Sequence, residues 1–464
     1  MRRLVGARPL VAAAAAAYAA GFAALSVLRN HSFETGRFDL GNMVQAVWST
    51  AHGHPLRVTS LQGEQVSRLA AHVDPILVLF APLWWIWPSP DMLLVVQAVA
   101  VATGAFPVFA LARKHLGSDG AALGFALLYL VLPAVQWLTL NEFHPVALAC
   151  PLLLFAFRYL DDDRLVPFAV FALLAAATKE EISLVVAGFG VWYAFAHRRR
   201  AAGVAILAAG ALWFALAVSV VVPHFNHGGA SSFYYRYREV GGSPGGVLRT
   251  AATHPLRILD KAFDHRSLEY LSDLAVPLAG LFLAAPLVLL AALPELALNL
   301  LSSTRTQTSI HFHYTAGLIP PLVVASVLGA ARLSGRSRRR AAAIAGLAVA
   351  VALAENVRLG AMFEAPATVS RHDRIAAHAL RLVPGDAVVS ATNTLGAHLS
   401  ARRRILSFPL RAGARWIAVD TTRLSFGDRS TGGRRAETAL ARLRRDARWR
   451  VVFARDGVLI FRRA

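Results

Sequence analysis

Long apolar runs separated by short charged segments dominate the sequence. Residues 92–112, 121–138 and 201–222 are each predominantly apolar and contain few or no charges. A helix rises ~1.5 Å per residue, so about 20 such residues cross the hydrocarbon core of a bilayer. Apolar and polar residues do not alternate within these runs, which excludes a lipid-facing barrel. The pattern therefore predicts a bundle of membrane-spanning helices.

Short basic clusters between the apolar runs predict the topology, because cytoplasmic loops are enriched in Lys and Arg. The clusters are Arg2/Arg3/Arg8, Arg113-Lys114, Arg158 with Arg164, Arg198 to Arg200, and Arg336 with Arg338 to Arg340. Placing them in the cytoplasm gives about eleven spans, a cytoplasmic N-terminus and an outer C-terminus. The predicted spans are 9–28, 91–112, 121–139, 145–159, 165–178, 181–196, 202–222, 273–290, 291–304, 314–332 and 341–359.

Two apolar segments fit this scheme less simply. The segment 273–304 has no basic residue at its centre, and a single crossing there would break the alternation of sides. Pro286 and Pro294 disrupt helices, so two short or broken helices are expected. The segment 75–87 contains three tryptophans and would lie outside. It is typical of an interfacial helix, and a re-entrant segment is the alternative.

The composition changes near residue 365 to that of a soluble domain. Short β-prone runs at 387–391, 416–420 and 450–453, a return strand at 458–461 and a helix around 436–445 predict a small α/β domain. The expected organisation is a transmembrane helical domain, residues 1–360, with outer loops 29–90 and 223–272. A soluble extracytoplasmic domain, residues 365–464, follows it.

The overall composition excludes a water-soluble globule of this size, since 56% of the residues are hydrophobic and only 16% are charged. The net charge of +21 lies largely in the topological clusters, so it does not indicate nucleic-acid binding. The single cysteine, Cys150, allows no intrachain disulfide. A multi-pass protein of the plasma membrane with membrane lipid as a partner is predicted.

Polar motifs at the helix ends all fall on the predicted outer side. Ionisable groups there are expensive unless they are hydrated, paired or used, so each is a functional candidate, and their grouping predicts one cavity. The candidate site residues are Asp39, His72, Asp74, Asn141, Glu142, His144, Lys179, Glu180, Arg305, His311, His313 and Tyr314.

Several of these residues also have simpler interpretations. Asp39 could only cap a helix that begins near Leu40. Lys179 could form an ion pair with the acids that follow it. His311 and His313 lack a third nearby metal ligand. The run that contains Tyr234, Tyr235, Arg236, Tyr237 and Arg238 is typical of an aromatic belt as well as of a ligand clamp.

The ordered motifs resemble a family of prokaryotic membrane proteins defined by the domain of unknown function 2079. The resemblance covers most of the chain. It rests on Phe38-Asp39-Leu40-Gly41 with Gln45 and Trp48, His72-x-Asp74-Pro75 leading to Ala81-Pro82-Leu83, Asn141-Glu142-Phe143-His144-Pro145, Lys179-Glu180-Glu181, His313-Tyr314 before Pro320-Pro321, and Ala391-Thr392-Asn393 through Leu399-Ser400.

The layout is similar to the glycosyltransferase C superfamily, whose members use polyprenyl-phosphate-linked sugars and a catalytic acid in the first outer loop. The resemblance implies that Asp39 is the base and that the acceptor is a glycan, lipid or protein. Lys179 and Arg305, with His72 or His311, would stabilise the lipid phosphate, while Glu142 and His144 would position sugar or acceptor. The segment 75–87 would hold the prenyl tail.

Many superfamily members carry paired acids in that loop, whereas here the nearest acid is Glu34, five residues before Asp39. The metal is therefore unknown, and a divalent cation is the one cofactor that the resemblance leaves open. A transporter or flippase for a lipid or polar solute and a non-catalytic scaffold are the alternative functions. The absence of repeated halves and the one-sided polar residues favour glycosyl transfer over transport.

Overall fold

The protein has a helical part, residues 6–361, followed by a part that contains a β-sheet, residues 367–464; these are the residues that the computed structural model describes. Arg2 and Arg3 of the first basic cluster and the predicted domain start at residue 365 lie outside these ranges. The predicted helical polytopic fold with a small C-terminal α/β sheet is confirmed, whereas the domain limits stay predictions.

Four helical segments among the described residues are long and apolar enough to cross a membrane: Ala7–His31, Pro90–Leu116, Arg200–Phe225 and Arg338–Leu359. A fifth consists of two helices, Asp119–Val131 and Pro133–Leu140, bent by 47°. The bend occurs where Pro133 interrupts the helical hydrogen bonding. Several other predicted spans are shorter apolar helices, so the number of about eleven crossings stays a prediction.

The helices of the membrane part vary from one turn to seven. They are α1 Ala7–His31, α2 Asn42–Ala51, α3 Ala81–Ile86, α4 Pro90–Thr103, α5 Ala105–Leu116, α6 Asp119–Val131, α7 Pro133–Leu140, α8 Ala149–Asp161, α9 Leu165–Ala176, α10 Ile182–Ala196, α11 Arg200–Leu216, α12 Val222–Phe225, α13 Pro244–Thr253, α14 Pro255–Ala262, α15 His265–Ala275, α16 Pro286–Leu289, α17 Leu293–Leu300, α18 Ile319–Ser334 and α19 Arg338–Leu359.

The segment 273–304 is broken into short pieces, namely the end of α15, two 3₁₀ turns, α16 and α17. Proline begins α16, and Pro294 lies in the first turn of α17, where the missing N–H costs least. The breaks match the expectation of short or broken helices. Whether the segment crosses once or twice stays a prediction.

Small residues let helices approach closely in the core. A Cβ on Gly190 of α10 would lie 2.6 Å from the carbonyl oxygen of Gly203 on α11. Gly188 faces Ala291 on its other side, so α10 is wedged between α11 and the 291 segment. Cys150 is fully buried on α8 beside the hydroxyl of Tyr129.

One end of the bundle gathers three of the predicted cytoplasmic clusters. Three consecutive aspartates end α8 and begin the turn after it; Asp162 pairs with Lys114 and Asp163 with Arg199. Asp162 also pairs with Arg158 of its own helix. The polar motif that ends at His144 precedes α8, so the basic clusters and this motif lie at opposite ends of one helix. Which end faces the cytoplasm stays a prediction.

The C-terminal part contains a five-stranded sheet in the order β4-β3-β5-β7-β6. β3 pairs in parallel with β4 and β5, while β7 is antiparallel to β5 and β6. The four predicted strands are present, whereas β4 and two helices were not predicted. The elements are β3 Val389–Ala391, β4 Ile405–Ser407, β5 Trp416–Asp420, β6 Trp449–Arg455, β7 Val458–Arg463, α20 Arg371–Leu380, α21 Asn393–His398 and α22 Phe426–Arg445.

This part packs on the first loop of the helical part, which forms a small hairpin of β1, Arg57–Thr59, and β2, Gln65–Ser67. Gln45 Nε2 donates to the carbonyl oxygen of Arg402 at 3.1 Å, and Arg404 Nε donates to that of Gly63 at 2.9 Å. The sheet is therefore fixed to the loop that carries Asp39.

Candidate active site

Asp39 lies inside a π-helical turn, Arg37–Gly41, that leads into α2. Its carboxylate is about half exposed and Oδ1 lies 3.3 Å from Nε2 of His144. The simpler interpretation of Asp39 as a helix cap is wrong, because α2 begins at Asn42 and Gly41 occupies its cap position. The side chain is free to act on a bound molecule.

The imidazole of His144 is held on three sides. Its Nδ1 faces the carbonyl oxygen of Asn141 at 2.8 Å, and its backbone N–H donates to Gln97 Oε1 at 2.9 Å. The ring stacks on His313 with centroids 3.8 Å apart, and His313 Nδ1 lies 3.3 Å from Asn141 Oδ1. These contacts fix the direction in which Nε2 points at Asp39.

The ionised form of Asp39 is favoured by its neighbours. Desolvation by the surrounding walls raises the pKa of Asp39, but the hydrogen bond and charge of His144 and the charges of Arg68 and Arg236 outweigh it and hold this pKa below its ordinary value. A carboxylate that is ionised and half exposed can accept a proton from a bound hydroxyl.

Glu142 supplies a second carboxylate beside Asp39. It accepts hydrogen bonds from the backbone N–H groups of Gly36 at 3.1 Å and Leu40 at 2.8 Å, and its own φ of +46° is in the left-handed region. Burial, together with the charge of Asp39, raises the pKa of Glu142 to about 8. Glu34, the nearest acid in sequence, pairs instead with Arg29 at 3.0 Å.

His72 and Glu180 form a pair from two distant loops. His72 Nδ1 lies 3.0 Å from Glu180 Oε1, and the backbone N–H of Val73 donates to Oε2 at 2.9 Å. Burial raises the pKa of Glu180, but His72 and Lys179 more than offset it and lower this pKa to about 2. The His72 ring stacks on Phe233 with centroids 4.5 Å apart.

Lys179 pairs with Glu181, as the simpler interpretation expected, and it also faces a cavity. Its ammonium lies 5.5 Å from the centroid of the Tyr314 ring. Burial lowers the pKa of Lys179, but the charges of Glu181 and Glu180 raise it by more than burial lowers it. The ammonium group therefore stays charged.

A first cavity, which we call the charged cavity, has a volume of about 360 Å³. Its apolar lining comes from α11, α12, α13 and α17. Its polar lining includes His72, Lys179, Glu180, Glu181, Arg236, Glu295 and Tyr314.

Arg236 comes from the loop 223–272 and donates to the hydroxyl of Tyr314 at 3.2 Å. Tyr234 and Tyr237 line the cavity beside Arg236. Tyr235 is half exposed and does not line it. The position of Tyr234 and Tyr237 fits the ligand-clamp alternative, and the aromatic belt stays a prediction.

A second cavity, which we call the polar pocket, has a volume of about 330 Å³ and contains Asp39, Asn141, Glu142 and His311 in its lining. His311 packs on Trp137 with centroids 4.6 Å apart. The candidates line two cavities instead of the one expected, and the stacked rings of His144, His313 and Tyr314 run from Asp39 in the polar pocket to the lining of the charged cavity.

Four candidates line neither cavity: His144 and His313, whose rings stack beside Asp39, and Asp74 and Arg305. Asp74 is only 2% exposed and pairs with Arg68 at 2.8 Å, so its carboxylate is buried in an ion pair away from the cavity linings. Arg305 is exposed on a 3₁₀ turn, and Arg236 is the arginine that lines the charged cavity. The predicted direct contacts of Asp74 and Arg305 with substrate therefore do not fit these positions.

Within residues 6–361 and 367–464, no group of three or more His, Cys, Asp or Glu side chains is arranged to hold a metal ion. The acids near Asp39 are engaged with backbone N–H groups or arginines. The site can bind an anion and accept a proton with its own side chains.

The family model for predicted membrane proteins of the DUF2079 family matches residues 29–460. The chain belongs to this family. A comparison with curated proteins found no match for this DUF2079 protein.

Two solved structures of ArnT from Cupriavidus metallidurans are similar to the DUF2079 chain at 13% identity. The match with the form bound to undecaprenyl phosphate covers 96% of this chain and 97% of the ArnT chain, with a TM-score of 0.45. The apo form covers 91% and 93%, with a TM-score of 0.47. At this level of similarity neither structure informs the chemistry of the site.

Gln97 and Glu295 of the DUF2079 protein were missed as candidates, and Arg236 was considered only as part of the possible ligand clamp at 234–238. Gln97 is fully buried and donates to the carbonyls of Thr139 and Glu142, which shapes the turn before His144. Glu295 is buried, and both Glu295 and Arg236 line the charged cavity. A lone polar residue inside an apolar run was the available signal for Gln97 and Glu295.

Proposed function

We propose that this protein transfers a sugar from a polyprenyl-phosphate donor to an acceptor hydroxyl on the extracytoplasmic side of the membrane. The observation that carries the proposal is the Asp39–His144 pair. It joins an ionised, half-exposed carboxylate to the row of rings between the charged cavity and the polar pocket. A base in that place can serve a reaction between molecules bound on its two sides.

The charged cavity is the donor site. Arg236 Nε is buried without a hydrogen-bond partner among the described residues, so it can donate to a phosphate oxygen. Lys179 and Arg236 both lie close to the Tyr314 ring, with Lys179 Nζ at 5.5 Å and Arg236 Cζ at 5.7 Å from its centroid. Glu295 Oε2 is also buried without a partner and can accept from a sugar hydroxyl.

The apolar wall of the same cavity suits the first isoprene units. Phe214, Val218, Val222 and Leu248 contribute to it. The segment 75–87 does not line this cavity, although Trp85 and Ile86 are exposed as an interfacial helix requires. The prenyl groove expected at 75–87 is therefore assigned to the α11–α13 wall.

The reaction proceeds by displacement at the anomeric carbon. The acceptor hydroxyl in the polar pocket gives its proton to Asp39 as its oxygen forms a bond to that carbon. The bond between the carbon and the phosphate oxygen breaks, and its electron pair leaves with the lipid phosphate. Arg236 and Lys179 stabilise the negative charge of the leaving group. Attack opposite the leaving group inverts the anomeric configuration.

Membranes that contain the wild type or the Asp39→Asn variant, supplied with labelled polyprenyl-phosphate sugars, test this proposal. Loss of a general base lowers transfer by about 10²- to 10⁴-fold. Asp386→Asn, an exposed acid of the C-terminal part, is the matched control and should retain wild-type transfer. Full transfer by Asp39→Asn would remove the base assignment. Absence of binding and turnover by the wild type would remove the reaction class.

A further inference from the structure

The π-helical turn that carries Asp39 is enclosed by the C-terminal part. Arg37 is almost fully buried; its Nη1 donates to Ser407 Oγ at 2.6 Å and its Nη2 donates to the carbonyl oxygen of Ile405 at 2.9 Å. Both acceptors belong to β4. The same Nη2 also donates to the carbonyl oxygen of Thr59 in β1 at 2.9 Å, so one guanidinium joins two segments of the first loop to the sheet.

Helix α21 contacts the turn from a second direction. Asn393 Oδ1 accepts a hydrogen bond from the backbone N–H of Phe38 at 3.2 Å. A Cβ on Gly36 would lie 2.6 Å from Asn393 Nδ2, and one on Gly41 would lie 2.6 Å from Ser400 Oγ. A Cβ on Gly396 would lie 3.1 Å from Cβ of Arg37. Three glycines thus let the turn and α21 pack without space between them.

The opposite side of the turn is fixed by Glu142 through Gly36 and Leu40. Side chains that accept hydrogen bonds from backbone N–H groups of the turn are thus Glu142 on one side and Asn393 of the C-terminal part on the other. The Ala391 to Ser400 motif, which no step of the proposed reaction uses, is accounted for by this contact.

We propose that the C-terminal part is a positioning element of the active site, and that Arg37, Asn393 and Gly396 hold the Asp39 carboxylate in place toward His144. The inference rests on the proposed function for its catalytic consequence. Positioning residues touch neither substrate nor reacting atoms; they act through the backbone of residues 36–41. A displacement of about 1 Å of a catalytic group can cost about 10²-fold in rate.

The most direct test adds a methyl group at the contact. Gly396→Ala places its Cβ against Arg37 within a helix that accepts alanine. Gly385→Ala is the matched control, because a Cβ there meets no atom within 4 Å. Asn393→Ala, which removes the acceptor for Phe38, is the second variant should Gly396→Ala fold poorly.

Two readouts separate positioning from a general loss of stability. Gly396→Ala and Asn393→Ala should lower kcat by about 10- to 100-fold with KM for the lipid-linked donor unchanged. The acid limb of their pH–rate profiles should also move to higher pH, since a longer distance to His144 weakens the interaction that favours the ionised base.

Hydrogen exchange of the backbone amides of residues 36–41 provides a measure that does not require activity. In both variants the amide of Phe38 should exchange at least about tenfold faster, while Gly385→Ala matches the wild type. Faster exchange in the two variants, combined with a wild type that transfers no sugar, would support the positioning element and contradict the proposed function. Unchanged exchange, or faster exchange with unchanged kcat and pH profile, would overturn the inference.

Discussion

His144 Nε2 lies 3.3 Å from Asp39 Oδ1, while its other ring nitrogen faces a carbonyl oxygen that can only accept a hydrogen bond. Nδ1 therefore carries a proton. The hydrogen bond and the charge of His144 hold the pKa of Asp39 below its ordinary value. His144 thus acts on the protonation state of Asp39 as well as on its position.

Replacing His144 with Gln should move the acid limb of the kcat/KM profile to higher pH. The pKa of Asp39 is held below its ordinary value chiefly by His144, acting against desolvation. Without the imidazole this pKa rises, so the carboxylate becomes protonated at a higher pH and loses its function as a base. The measurement is transfer rate against pH at subsaturating donor. An unchanged acid limb with reduced rate would assign His144 to substrate contact alone.

Glu142→Gln should change the pH dependence of stability. Burial and the charge of Asp39 raise the pKa of Glu142 from 4.5 to about 8 in the folded protein. Between these values the folded state binds more protons than the unfolded state, so stability falls as pH rises through that window. The variant lacks this decline. Thermal unfolding of both proteins is measured in one detergent from pH 5 to 8. The Tm of the variant should rise relative to that of the wild type as the pH increases. A constant difference in Tm would contradict the raised pKa of Glu142.

Substitutions of Arg236 and Arg305 compare the arginine that lines the charged cavity with the arginine that the sequence predicted as a phosphate ligand. Arg236→Gln should raise KM for the lipid-linked donor by about tenfold or more, because a charge-assisted hydrogen bond to phosphate is lost. Arg305→Gln removes an exposed arginine that does not line either cavity and should leave KM unchanged. The reverse result would place the phosphate at the 3₁₀ turn.

Gly188→Leu should destabilise the helical part by about 1–3 kcal/mol or more. Its side chain would enter the space occupied by Ala291 and push α10 away from the wall of the charged cavity. Gly21→Leu on α1 is the control, because a Cβ at that position meets no neighbour. Thermal unfolding in matched detergent distinguishes the two variants. Equal Tm values would show that α10 and the 291 segment accommodate the larger side chain without loss of stability.

The sequence predicted the features that depend on local pattern. Apolar runs located helices such as α1 and α19, and alternating β-prone residues located β5 and β7. Paired polar motifs at helix ends were correctly expected to meet, as His72 and Glu180 do. Each of these follows from periodicity or from the cost of isolated charge near lipid.

Long-range packing explains what the sequence did not reveal. Arg236 and Arg305 are the same residue type, so the sequence did not favour Arg236. Only the path of the loop 223–272 brings Arg236 to Tyr314. The link between the two cavities runs through the stack of His144 on His313, which are 169 residues apart in the numbering. The strand β4 has three residues and follows an arginine run, so its pattern is too short to detect.

The burial of Cys150 makes the natural chain suitable for mapping with thiol reagents. Its sulfur is enclosed on α8, so a membrane-impermeant maleimide should leave the wild-type protein unlabelled in intact cells. A cysteine introduced at Gly385 or at Asp162 would then report its own face of the membrane without prior removal of the native thiol. Labelling at Gly385 and protection at Asp162 would place the Asp39 site outside the cell.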